Sequence, residues 1–237
     1  MKRGLSARDA RLQSYRVAGS SRDGAQQATY TFAYRAPQKM RAALTEPVTR
    51  TFSFDGRQLY ERNDADRLFH AFDNQLSPAR SAGFLTQTFS PFIPEGFRVP
   101  LMPRRGVTLA RARHALAAQA LELTVPVVVS GSESLALTYV LRWPSLDFLG
   151  KRTRGSSGEL SEVRVEQEHC DAALKLCVPS VLSRWQGTER VGETRLTRVE
   201  LNPALPEQDF TLAAPQGYTV RRQTLTDAPV PEDAGSP

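Results

Sequence analysis

The segment from 28 to 74 alternates apolar and polar residues and is cut by tight turns, which limits the chain to a fold built on an antiparallel sheet. ATYTFAYR sends Tyr30, Phe32 and Tyr34 to one face and Thr29, Thr31 and Ala33 to the other, because successive side chains of extended backbone point in opposite directions. Ala36-Pro37-Gln38 is a turn, since proline fixes its own φ and pushes the preceding residue toward extended geometry. KMRAAL resumes with Met40, Ala42 and Leu44 on one face. TRTFSF places Phe52 and Phe54 together, Asp55-Gly56 is a hairpin signal, and RQLYER and RLFHAF extend the meander. Each strand then pairs with the one before it.

The pattern breaks at Ser77-Pro78, an N-cap residue followed by proline at the first helical position, and Phe84, Leu85, Thr88 and Phe89 recur at helical spacing until Pro91 and Pro94. FSPFIPEGFRVPLMP, at 89–103, is apolar and broken by proline, and reads as an irregular loop or lid. At the start of the chain, Leu5, Leu12 and Tyr15 share a helical face with charge between them, which predicts a helix over 5–16. The alanine-rich stretch at 107–129 reads as a helix running into a strand, and KRTRGSSGE as a flexible loop. SLALTYVLRW, LSEVRVEQ, SVLSRWQG and ETRLTRVEL are strand candidates, and DFTLAAPQGYTV reads as a last strand stopped by Pro215 and Gly217. The expectation is one domain over 1–226: a helix at 5–16, the meander at 28–74, a helical or lid insertion at 77–120 and strands at 121–220. A disordered tail at 227–237 follows. The fold class is α+β, mainly β, with helices covering one face of the sheet.

The chain of 237 residues carries a net charge of +6, which admits an anionic partner, but its arginines are scattered among Asp and Glu. That distribution fits a solvated surface better than a nucleic-acid groove. No apolar run approaches the roughly 20 residues needed to span a bilayer, so the sequence predicts a soluble protein. Cys170 and Cys177 stand at the two ends of a short excursion between strand-like segments, where facing positions can meet disulfide geometry; two free thiols are the alternative. A disulfide implies an oxidising compartment and export. The basic opening MKRGLSARDARLQ lacks the apolar run of a signal peptide, which leaves a cytosolic chain or one whose signal has been removed.

Little in the sequence points to catalysis. His70, His114 and His169 lie outside any nucleophile or metal signature and read as structural, while Asp64, Asp66 and Asp73 flank a turn and a strand. Zinc would require two ligands besides the cysteines. The reading is therefore no enzyme, no metal and no cofactor. The distinctive feature is the supply of large apolar groups: Tyr30, Phe32, Tyr34, Met40, Phe52 and Phe54 on the strands, and Phe84, Leu85, Phe89, Phe92, Ile93 and Phe97 across from them. They form either an ordinary core or the lining of an apolar cavity, where small ligands usually bind.

Three blocks in order carry a family resemblance. FAYRAPQKMR, then FSFDGRQLYER, then RVELNPALPEQDFTLAAPQGYTV resemble the LolA-like superfamily, which includes the periplasmic lipoprotein carrier and the LppX and RseB types. The resemblance implies a half-closed antiparallel β-barrel wrapped around a few helices, with a hydrophobic cavity and no catalytic activity. It implies a periplasmic or outer-membrane-associated monomer of a Gram-negative bacterium that holds acyl chains of a lipid or lipoprotein, with envelope proteins as further partners and no nucleic acid. On that pattern Phe32, Tyr34, Met40, Phe52, Phe54, Phe84, Leu85, Phe89 and Phe92 would line the cavity, and Arg35 and Arg41 would meet a headgroup at its mouth. An alternative within the same fold is an envelope sensor or protein-interaction module whose barrel is filled by its own side chains, with the segment 90–103 as a docking loop. The chain departs from the carrier at Ala36, where the carrier has arginine directly before the proline; Arg35 stands one residue earlier, and one step along a strand turns a side chain to the opposite face.

Overall fold

The computed structural model describes residues 1–98, 106–130 and 133–227, and these described residues form two helices and fourteen strands. They are α1 (Lys2–Asp9), β1 (Ser14–Asp23), β2 (Gln26–Arg35), β3 (Lys39–Glu46), β4 (Arg50–Phe54), β5 (Gln58–Asn63), β6 (Leu68–Gln75) and α2 (Pro78–Phe89). β7 (Thr108–His114), β8 (Ala117–Ser130), β9 (Glu133–Arg142), β10 (Phe148–Arg154), β11 (Leu160–Asp171), β12 (Leu176–Gln186) and β13 (Glu189–Leu201) follow, then a single 3-10 turn (Glu207–Phe210) and β14 (Thr219–Thr226). Among the described residues no helix is long and apolar enough to cross a membrane.

The chain divides into two compact units. The larger comprises residues 1–31 and 94–204, the smaller 32–93 and 205–237, so β2 gives its first half to one and its second half to the other. In the larger unit the strand order is β1-β13-β12-β11-β10-β9-β8-β7, every pair antiparallel. Leu5 of α1 packs into a core with Leu123, Tyr139, Leu141, Phe148 and Leu182. Arg8 is driven inside with it and is held by polar groups: its guanidinium donates to the carbonyls of Gly96 (2.8 Å) and Phe97 (3.0 Å), and Nε lies 3.6 Å from Asp147. The smaller unit has the order β14-β6-β5-β4-β3, antiparallel except for the β6–β14 pair, which is parallel.

The structure corrects several sequence expectations. The first helix ends at Asp9 rather than 16, because Asn202 closes the chain into a turn: its Oδ1 accepts the N–H groups of Gln13 (2.8 Å) and Ser14 (3.1 Å), and its Nδ2 donates to the Arg11 carbonyl (2.7 Å). Ser14 onward is then free to pair with β13, which buries Tyr15 and Val17. The region 107–129 contains no helix; it is the antiparallel hairpin β7–β8, and pairing of Leu121 with Leu141 and Leu123 with Tyr139 outweighs the helix preference of its alanines. KRTR belongs to β10, not to a loop. DFTL is not a strand: Asp209 and Phe210 lie in the 3-10 turn, and the last strand begins only after Gly217, whose φ of 81° turns the chain into β14. The disulfide is present, with Cys170 and Cys177 opposite each other in the β11–β12 register. Of the irregular segment 89–103, residues 90–98 form no helix or strand and 99–103 lie outside the described residues, as do residues 228–237 of the expected disordered tail.

Candidate functional site

The smaller unit gathers the apolar residues singled out in the sequence. Alternation puts Phe32 and Tyr34 of β2, Met40 of β3, and Phe52 and Phe54 of β4 on one face, and the β3–β4 register sets Met40 beside Phe54 and Ala42 beside Phe52. Helix α2 lies on this face because its residues Ser81, Leu85 and Phe89, spaced four apart, form its buried stripe. Three contacts tie it down. Asn74 of β6 donates to Ser81 Oγ (2.6 Å), the Phe89 ring meets Phe32 edge-on at 6.3 Å, and Phe92, just past the helix, meets Phe52 at 5.9 Å. Phe32, Phe54, Leu85 and Phe89 are all at most 3% exposed. Phe52 and Phe84 are only half-buried; Phe84 lies one residue off the helix stripe. Of the residues expected across from the strands, Ile93 is exposed, and Phe97 belongs to the larger unit, where its ring packs 4.9 Å from that of Tyr15.

Arg35 and Arg41, expected at a cavity mouth, stand on the opposite face of the sheet, as their odd positions require. Arg35 donates to the Leu205 carbonyl and pairs with Glu207, and Arg41 donates to the Asp209 carbonyl (3.0 Å). Lys39 also pairs with Glu207, and its hydrogen bond, with that of Arg35, holds the Glu207 carboxyl below the usual carboxylate range. Ser53 Oγ donates to the Phe210 carbonyl (2.7 Å) on this side, and Phe210 itself is fully buried. The segment 205–212 is thus a second cover, laid over the side that α2 does not occupy. The strand expected over 209–220 hides this cover, whose buried residues are Leu205, Phe210 and Leu212.

On the same side a groove of about 490 Å³ opens beside the cover, lined by Tyr60, Phe69, Leu212 and Arg222 among others. Burial, reinforced by its hydrogen bond to Asp55, pushes the Tyr60 hydroxyl up to about 12. The larger unit has a groove of about 440 Å³ between Leu109, Arg111, Leu121 and Trp143. Of the histidines, His70 neighbours Glu61 on β6 and β5, His114 ends β7 with its imidazole pushed down chiefly by burial, and His169 is exposed beside Cys170. Among the described residues no group of three or more His, Cys, Asp or Glu side chains is placed to hold a metal ion.

Neither the protein-family models nor the curated protein sequences contain a match to the chain. Solved structures do match. A Vibrio parahaemolyticus domain described as an outer-membrane lipoprotein-sorting protein superposes with a TM-score of 0.53 at 10% identity, over 88% of this chain and 95% of that one. The LolA superfamily protein NE2245 of Nitrosomonas europaea is similar over 89% of this chain and 96% of its own, with 15% identity and a TM-score of 0.48. The MucA/MucB complex of Pseudomonas aeruginosa is similar over 90% of this chain and 61% of that chain, at 12% identity and a TM-score of 0.32. The fold is a mainly β, α+β fold. It is similar to that of the Vibrio parahaemolyticus domain, and at 10% identity the likeness is one of fold.

Proposed function

We propose that the protein is a non-enzymatic cell-envelope component that binds acyl chains of a lipid or lipidated protein against the helix-facing side of its smaller unit. One observation supports this most directly: that side carries Phe32, Met40, Phe54, Leu85 and Phe89 buried, while Phe52 and Phe84 are only half-buried. A half-covered aromatic edge next to a closed apolar layer is where an alkyl chain can enter, and each methylene it buries contributes about 0.8 kcal/mol. The LolA-like fold and the disulfide fit a periplasmic or outer-membrane location. Transport of lipoprotein toward the outer membrane is the role this reading favours.

Native mass spectrometry of protein purified from cells tests it. The expected spectrum contains a population heavier than the bare chain by the mass of one lipid, and the delipidated protein takes up a fluorescent fatty acid. A bare mass together with no uptake would overturn the proposal.

A further inference from the structure

The helix-facing side of the smaller unit is not apolar throughout. In the antiparallel register Phe52 lies beside Glu61 and Glu61 beside His70, and in the parallel register His70 lies beside Arg221. Laterally paired residues share a face, so Phe52, Glu61, His70 and Arg221 form one row across β4, β5, β6 and β14 on the side that carries α2. Arg50, two residues before Phe52, joins this row: its Nη2 donates to Glu61 and its guanidinium sits 5.6 Å above the Phe52 ring. His70 Nδ1 is 3.6 Å from the other oxygen of Glu61, and its ring meets half-buried Phe72 edge-on at 5.6 Å. The charged cluster therefore begins where the aromatic surface of Phe52 and Phe72 ends.

Its composition selects a ligand class. Arg50 and His70 flank the one carboxylate and Arg221 continues the row beyond His70, so cations and donors outnumber acceptors in it. Arg50 spends one hydrogen bond on Glu61, its side chain is 42% exposed, and its Nε has no hydrogen-bond partner in the protein; neither has His70 Nε2. The remaining N–H groups of the part-exposed Arg50 guanidinium are where an incoming carboxylate or phosphate gains most, through charge-assisted hydrogen bonds. Arg221 is exposed and adds a second guanidinium to the row.

We infer that Arg50, His70 and Arg221 form a headgroup site for a carboxylate or phosphate, and that the preferred ligand is a single-chain anionic amphiphile whose tail runs over Phe52 and Phe92. This inference rests on the acyl-binding reading above, and narrows it to a head chemistry and a direction of binding. Glu61 holds Arg50 and His70 in place and competes with the ligand for them, so its removal strengthens anion binding.

The test is a fluorescence titration of the full chain with cis-parinaric acid and with its methyl ester. Wild type binds the acid about tenfold more tightly than the ester, the difference expected of one charge-assisted hydrogen-bond pair. Arg50→Gln combined with Arg221→Gln removes this preference, so that acid and ester bind equally. Glu61→Gln raises acid affinity severalfold, a gain that loss of folding cannot mimic. Dodecyl phosphate displaces the acid, whereas inorganic phosphate at the same concentration does not; equal displacement by both would overturn the amphiphile assignment in favour of a free-anion site. Equal binding of acid and ester by wild type, or a preference that survives the double substitution, overturns the headgroup site and leaves acyl binding standing. Failure to bind either probe overturns both.

Discussion

Arg8 is an arginine with no exposed surface, and its surroundings explain how it is tolerated. Its donors reach two carbonyls and Asp9, and its Nε faces Asp147, which is 2% exposed and also accepts from Ser145 Oγ (2.7 Å). Arg8→Met takes one of two cations from Asp147, which keeps Arg142 at 3.4 Å, so it should cost about 3 kcal/mol in urea unfolding, the low end for a broken buried pair, and adding Asp147→Asn should recover part of it. A loss of less than about 1 kcal/mol would mean that Arg8 carries no such pairing. The neighbouring Gly96 belongs to the same design: it has a φ of 84°, and a Cβ there would lie 2.5 Å from the Phe148 ring. In the sequence Arg8 is one charge among many on an amphipathic segment, and nothing local distinguishes a buried guanidinium whose partners are about ninety residues away.

Elements ended where distant side chains made them end. The apolar spacing of Leu5, Leu12 and Tyr15 is real, and all three are buried, yet helix and strand divide them because Asn202 satisfies the turn between. Asn202 has a φ of 51°, a conformation asparagine accepts more readily than alanine. Asn202→Ala should therefore lose three hydrogen bonds and add backbone strain, for about 2–3 kcal/mol by chemical denaturation. Asn202→Gly, which relieves the strain but not the lost bonds, should fall between the two proteins. The order of the denaturation midpoints checks this, and alanine and glycine variants of equal stability would show that the positive φ carries no cost. The same logic accounts for what was legible in the sequence. Strict alternation with strong turns placed Phe32, Tyr34, Met40, Phe52 and Phe54 on one face, and the Ser77-Pro78 start placed α2. The alanine-rich hairpin β7–β8 was not legible, because its strand character comes from partners on β9. Arg35 and Arg41 were assigned to a mouth although their odd positions put them on the other side; alternation carried through to β5 and β6 would have brought out Glu61 and His70 instead.

The excess positive charge of the chain reads differently once its arginines have addresses. In the larger unit Arg142 pairs with Glu168, Arg152 with Glu122, Arg190 with Glu193 and Arg198 with Glu200, while in the smaller Arg35 and Lys39 share Glu207. These cations are already spent on nearby carboxylates, two strands away for Arg142 and Arg152, two or three residues away for Arg198 and Arg190, and in the 3-10 turn for Arg35 and Lys39, and each pair lowers the potential that a polyanion would meet. A net charge of +6 still attracts a polyanion weakly at low ionic strength. With these cations paired, however, few phosphates can be neutralised at once, and the salt dependence set by counterion release leaves only the nonspecific regime, with Kd of about 10⁻⁴ to 10⁻⁶ M. The protein should consequently leave a heparin column by about 0.2 M salt, where a binder with 6 to 10 phosphate contacts is already roughly 10³- to 10⁵-fold weakened relative to 0.05 M. Elution well above that concentration, together with tight binding of duplex DNA, would mean that the charges cooperate on one surface despite their pairing. The headgroup site makes the complementary demand: Arg50→Gln with Arg221→Gln lowers the formal charge by two, so a heparin elution point that barely moves while the acid preference disappears separates a local anion site from general basicity.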